Sequence, residues 1–272
     1  MKSFIDGLMP HRMAFTGLAY QYFAICGAGS NDVGGGLDCK PAYATGAPHL
    51  AAGHPQKTPL DLGAQLTAGL GKGYKGSPLE LWPTISYGNP GNATVLNALL
   101  NSPAATEKFI ADAIAIAHKQ KLTGFNWDIE ATQGGANPHI SANLPAFLQK
   151  FGAALHAATP PVLVSYDAGN TPMAGVEDMD RWISMGTYTA STPGYLAGLA
   201  EGIRTSGSKF GVGLCPICGQ LSEAATQVRF DAIAKYNTTV REIDLWAADY
   251  KVPAEPEWEF YWPRLEKWLQ AP

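Results

Sequence analysis

A chain of 272 residues suits one large domain, and 46% hydrophobic content is enough for a substantial core. The formal net charge is only −4, and no Lys/Arg block or basic stripe points to nucleic acid or an anionic membrane surface as partner. The long uncharged runs are broken by Gly, Thr and Pro, so no transmembrane helix is predicted. Met1 to Asp6 also lack the apolar stretch of a secretory leader.

In chain order, the first clear strand is Leu18 to Ile25. A second early strand is sought in Ser3 to Leu8 or in Arg12 to Thr16, neither of which leaves room for a normal crossover helix. Residues 27–60, rich in Gly, Pro and His, read as a long loop over one mouth of the fold. From Leu79 a strand-then-helix rhythm sets in: strand Leu79 to Tyr87, then a helix from Ala104 to Gln120 with an apolar stripe of Phe109, Ile110, Ala113, Ile114 and Ala117. Strand Leu122 to Glu130 and a helix from Asn143 to Ala157 follow. Pro160-Pro161 then opens strand Val162 to Asp167. Arg181 to Tyr188 reads as strand, Tyr195 to Thr205 as helix, Lys209 to Cys215 as strand, and Ala224 to Tyr236 as helix. Glu242 to Asp249 is the last strand, and an aromatic helix closes the chain around Tyr261 to Leu269. This alternation predicts α/β architecture with parallel strands: a (β/α)8 TIM barrel filling residues 1–272 as a single domain.

Strand side chains alternate, so Gly124, Asn126, Asp128 and Glu130 share one face, and Phe125, Trp127 and Ile129 the other. The apolar face should pack under the helices, leaving the polar row inside at the carboxyl end, where barrel enzymes place their active sites. Two carboxyls two residues apart repel each other, and one should hold its proton towards neutral pH, as an acid that protonates a leaving group must. A solvent-facing edge strand carrying ordinary charges is the plain alternative. Aromatic residues expected near the mouth are Tyr87, Trp127, Tyr166, Tyr188, Trp246, Tyr250 and Trp258, with Trp127 outward by alternation. Tyr166 and Asp167, ending the fifth strand, are candidate substrate contacts.

Cys26 and Cys39 flank a Gly-rich loop, and Cys215-Pro216-Ile217-Cys218 has CxxC spacing. Structural disulfides, free thiols, and a redox or zinc site are the alternatives. Asn92-Ala93-Thr94 and Asn237-Thr238-Thr239 are sequons, which with the even cysteine count lean towards an oxidising, secreted or lysosome-like compartment. None of the six histidines is paired at helical metal spacing, so neither metal nor cofactor is expected. His139 reads as a loop histidine.

GFNWDIE is similar to the fourth-strand signature DxxDxDxE of glycoside hydrolase family 18, the chitinase family. Asp128 falls on its last aspartate and Glu130 on its catalytic glutamate, while Thr123 and Asn126 replace the earlier aspartates. LWPTISYG resembles the third strand. Trp182 to Tyr188 resembles the sixth, with Met185-x-x-Tyr188 one residue longer than the family's Met-x-Tyr. Asp244-Leu245-Trp246-Ala247 resembles the eighth. The resemblance covers roughly residues 79–250.

It implies substrate-assisted hydrolysis of β-linked N-acetylglucosamine, in chitin oligomers or the chitobiose core of N-glycans. Glu130 would be the acid/base and Asp128 would orient the acetamide. Tyr188 would stand beside that group, Asn126 would hydrogen-bond Asp128, and Trp246 would floor the subsite. Tyr87 and Met185 complete the expected substrate contacts of a monomer whose partner is a saccharide. Two rivals remain: an inactive sugar-binding or storage barrel, and a double-displacement glycosidase with Asp167 or Asp249 as nucleophile.

Overall fold

The computed structural model describes residues 2–28, 46–52, 62–86, 93–129, 140–169, 171–189, 191–216, 221–245 and 256–271. Helix α1 (Lys2–Leu8) and a 3-10 segment, Met9–Ala14, precede strand β1 (Gly17–Cys26). Next come β2 (His49–Ala52), α2 (Leu62–Leu70), β3 (Glu80–Ser86), α3 (Thr94–Leu100), α4 (Pro103–Gln120) and β4 (Gly124–Asp128). The remainder is α5 (Leu144–His156), β5 (Leu163–Ala168), β6 (Arg181–Ser184), α6 (Thr192–Ser206), β7 (Phe210–Leu214), α7 (Glu223–Ala234), β8 (Glu242–Leu245) and α8 (Trp262–Gln270).

The strands form one eight-stranded sheet in the order β2-β1-β3-β4-β5-β6-β7-β8. β2 pairs antiparallel with β1, and every other neighbouring pair is parallel. Two readings of the amino-terminal quarter are therefore corrected. Ser3 to Leu8 and Arg12 to Thr16 lie in or beside helical turns, not a strand, and Gly69 of α2 lies close against Ile5, so this segment packs in the helical layer. The additional strand is β2, inside the region expected to be loop, and α2 supplies the crossover from β1 and β2 to β3.

The sheet is rolled. In its strand order Glu80 of β3 is three strands from Arg181 of β6, about 14 Å on a flat sheet, yet the two side chains meet at 3.1 Å. The same guanidinium reaches Glu242 of β8 at 2.6 Å. The two ends of the fold also approach: Trp262 of α8 stacks on His11, ring centroids 4.6 Å apart.

Helices cover the outer face for legible reasons. In α4 the Ser102 side chain accepts from the Ala105 amide at the amino terminus, and Pro103 begins the first turn. Lys121, at φ 55°, ends it in the left-handed region. The buried side of α4 presents Phe109, Ile110, Ala113 and Ala117. Between α4, α5 and β4, the indole of Trp127 meets Phe147 and Phe151 edge-on at 5.6 and 5.1 Å. Phe125, Trp127 and Ile129 are all 0% exposed, which is the outward apolar row that the alternation predicts.

Candidate active site

With that row facing the helices, the alternate residues line the interior in tiers. At the amino ends of the strands, Arg181 binds Glu80 and Glu242, and its guanidinium lies 4.2 Å from the centre of the Trp82 ring. Burial opposes the Arg181 charge, but Glu242 and Glu80 outweigh it and raise the pKa. Above them, the Trp82 indole lies over Gly124, where any Cβ would meet its ring and the Leu163 carbonyl.

The upper tier is polar. The Asn126 amide nitrogen donates to Thr84 Oγ1 at 3.3 Å and Asp167 Oδ2 at 2.7 Å, and its oxygen accepts from Ser165 Oγ at 2.7 Å. Both amide hydrogens are thereby used, so the expected bond from Asn126 to Asp128 is not made. Asp128 ends β4 one step beyond the Trp127–Tyr166 register pair, which sets it alongside Asp167 on the neighbouring strand.

The stretch expected as one strand from Arg181 to Tyr188 is strand only to Ser184, and Met185–Tyr188 is a 3-10 turn. Residues three apart share a side of a 3-10 turn, so the extra residue in Met185-x-x-Tyr188 is absorbed. Met185 is half-buried at the start of the turn. Tyr188 lays its ring against Gly213 of β7 and donates its hydroxyl to Asp244 Oδ2 at 3.1 Å. The turn is held from behind by Arg229 of α7, which donates to the Thr189 carbonyl at 2.6 Å and lies over the Tyr195 ring.

Three aspartates therefore converge at the carboxyl ends of the strands. Burial, then Asp244 and Asp128 nearby, push the Asp167 carboxyl well above the usual range, against the Asn126 hydrogen bond. Burial and Glu242 raise Asp244 to about 7, opposed by the bond from Tyr188. Burial and the surrounding aspartates Asp244, Asp167 and Asp128 raise the Tyr188 phenol, so it remains a neutral donor. So close-set a group of carboxyls cannot all ionise at neutral pH.

Of the residues singled out in the sequence, Asp128, Asn126, Asp167 and Tyr188 come together here. Glu130, Tyr87, Trp246, Asp249, Tyr250, His139 and Asn92 lie outside the described residues. Tyr166 is corrected: it is 0% exposed in the outer layer, donates to the Ile129 carbonyl at 2.6 Å, and packs on Trp182. It shares the outward parity of Val164. Trp258, expected near the mouth, is buried and stacks on Trp262 at 5.2 Å. Asp244 was not among the expected site residues. Its signal was the Glu242-x-Asp244 alternation on β8, the same two-residue period that marked β4. Neither Cys26 nor Cys215 is a free thiol, and Cys39 and Cys218 lie outside the described residues. Among the described residues no group of three or more His, Cys, Asp or Glu is placed to hold a metal ion, and no helix is long and apolar enough to cross a membrane.

Neither a family model nor a curated protein matches the chain by sequence. Solved structures do match. A chitinase from Chromobacterium violaceum superposes with TM-score 0.65 at 13% identity, over 98% of this chain and 95% of that one. A class V chitinase from Nicotiana tobaccum gives 0.66 at 11% identity, over 98% and 95%. A fungal endo-β-N-acetylglucosaminidase of glycosyl hydrolase family 18 gives 0.60 at 13%, over 96% and 89%. The chain has the family-18 fold. On that fold the Asp128 tier occupies the carboxyl ends of the parallel strands, where α/β sheets and barrels carry their ligands.

Proposed function

We propose that the chain is a divergent family-18 glycosidase, its rolled sheet a barrel variant, that hydrolyses β-linked N-acetylglucosamine with substrate assistance. The observation that carries this reading is the placement of Asp128: inward, at a strand's carboxyl end, beside Asp167, Asp244 and Tyr188. Glu130, two residues further along the sequence, is assigned the proton donor and later acceptor at the glycosidic oxygen. The substrate's own acetamido oxygen attacks the anomeric carbon. Asp128 orients that acetamide and stabilises the positive charge that develops on it, and Tyr188 is assigned a hydrogen bond to the same group. Trp246, Tyr87 and Met185 are assigned to sugar contacts, the protein to a monomer, and the cysteines to structural cross-links. Chitin oligomers and the chitobiose core of N-glycans are the two substrate classes.

The double-displacement rival with Asp167 as nucleophile is disfavoured by the setting of that carboxyl. A carboxyl that holds its proton at neutral pH is a poor nucleophile. The inactive-barrel rival is disfavoured by the presence of Glu130 in the sequence.

The test is hydrolysis of a fluorogenic chitobioside and of a high-mannose glycopeptide by the full chain and by Glu130→Gln. Cleavage of one substrate, lost in the variant, supports the reading. Equal cleavage by both proteins, or hydrolysis of aryl glucosides lacking the acetamido group, overturns it.

A further inference from the structure

Position 126 holds an amide where the family signature has an acid, yet the interior beside Asp128 is not short of carboxyls. The Asn126 amide donates to Asp167 Oδ2 at 2.7 Å. Ser165, two residues before Asp167 on the same face of β5, fixes the other end of that amide at 2.7 Å. Asp167 is thus held in place from β4 while lying alongside Asp128. We propose that Asp167 is a positioning residue of the catalytic centre, its carboxyl replacing from β5 the acid that position 126 lacks on β4. This rests on the glycosidase reading of the same site and adds a residue outside the β4 motif.

The groups facing Asp167 are Asp128 and Asn126 from β4, Tyr188 from the turn after β6, and Asp244 and Glu242 from β8. Below them, Arg181 is engaged with Glu80 and Glu242 in the lower tier. Carboxyls packed this closely cannot all ionise at once, and their protons are coupled. Burial together with Asp244 and Asp128 favours the neutral form of Asp167. With that proton on Asp167, Asp128 can remain ionised, which is the state that stabilises a positive oxazolinium-like charge. The proton does not leave the site in this role. It passes between Asp167 and Asp128, one carboxyl losing it as the other gains it, and an amide at 167 can neither take nor return it.

The Asn126–Asp167 pair lends itself to exchange. Asp167→Asn removes the carboxyl while keeping shape. Combined with Asn126→Asp, it restores one acid, one amide and their hydrogen bond in reversed order. On a fluorogenic chitobioside, Asp167→Asn should lower kcat about tenfold or more, leave KM nearly unchanged, and move a limb of the pH profile. The exchanged double variant should regain most of that loss. A merely structural role would alter melting temperature in both variants without moving the pH profile.

A second readout does not depend on turnover. Carbon-13 NMR of aspartate-labelled protein should show, beside Asp244 with its midpoint near 7, a second carboxyl still protonated at pH 7, absent in Asp167→Asn and present again in the exchanged variant. If Asp167 titrates with ordinary carboxylates, or the exchange rescues nothing that the single variant lost, the proposal falls. If the protein turns over no N-acetylglucosaminide but the protonated carboxyl behaves as stated, the glycosidase reading fails while the acid relocation stands.

Discussion

The Tyr188 hydroxyl donates to Asp244 Oδ2 at 3.1 Å, joining the turn after β6 to β8 over the top of β7. The bond passes over Gly213, whose missing side chain leaves room for the tyrosine ring. It links a residue assigned to substrate with one of the buried acids beneath it.

Tyr188→Phe keeps the ring and removes that donor. We expect kcat to fall about tenfold or more, and the melting temperature to drop by a few degrees because buried Asp244 loses a donor whose hydrogen bond is worth roughly 1–3 kcal/mol. Steady-state kinetics on a chitobioside, with a thermal melt alongside, make the check. Unaltered kcat would confine Tyr188 to packing.

Asp244 should also register in stability as a function of pH. Its carboxyl titrates near 7 in the folded protein against an ordinary value of 3.8, so the folded state holds this proton more tightly than the unfolded chain. The stabilisation from that preference is complete below about pH 4, declines as pH rises towards 7, and is gone above it. Asp244→Asn cannot ionise, so its stability relative to the parent should climb between pH 4 and 7 and level off beyond. Denaturant titrations across pH 4 to 8 would show this, and a pH-independent difference would exclude it.

Gly213→Ala tests the space over β7. A Cβ there would collide with the Tyr188 ring and the Ser184 carbonyl. Overpacking at such a place costs about 1–3 kcal/mol, and the ring must turn away from Asp244. We expect reduced stability together with a loss of turnover comparable to Tyr188→Phe. A variant that is stable and fully active would show that the turn adapts.

Arg181→Met, by contrast, acts at the opposite end of the interior. It would leave Glu80 and Glu242 facing each other without their shared cation. Removing one partner of a largely buried ion pair costs about 3–5 kcal/mol. Burial already raises Glu242, with Arg181 opposing it, so the loss should be worst at alkaline pH. The midpoint of urea unfolding should drop while kcat of the remaining folded protein holds. A large fall in kcat with normal stability would mean that the lower tier belongs to the chemistry.

Much of this organisation was legible in the amino-acid order, because it rests on local periodicity. The period of two in GFNWDIE separated Phe125 and Trp127 from Asn126 and Asp128. The apolar stripe of α4 followed from spacing of three and four. The same rule, applied to Ser165-Tyr166-Asp167, would have turned Tyr166 outward, and applied to Glu242-Ile243-Asp244 it would have marked Asp244. What no local pattern contains is which inward residues meet across the fold. Asn126 bonds Asp167, 41 residues away, and Tyr188 bonds Asp244, 56 residues away. Arg181 bonds Glu80 across 101. Those pairings depend on strand order, register and the curl of the sheet, which set the distances between side chains remote along the chain. The amino terminus belongs to the same class: β2 is a strand because β1 offers it an edge to pair with, and its own four residues carry little signal. Sequence alone thus determined the faces of the strands and the acids they carry, and only the rolled sheet decided which of those acids meet.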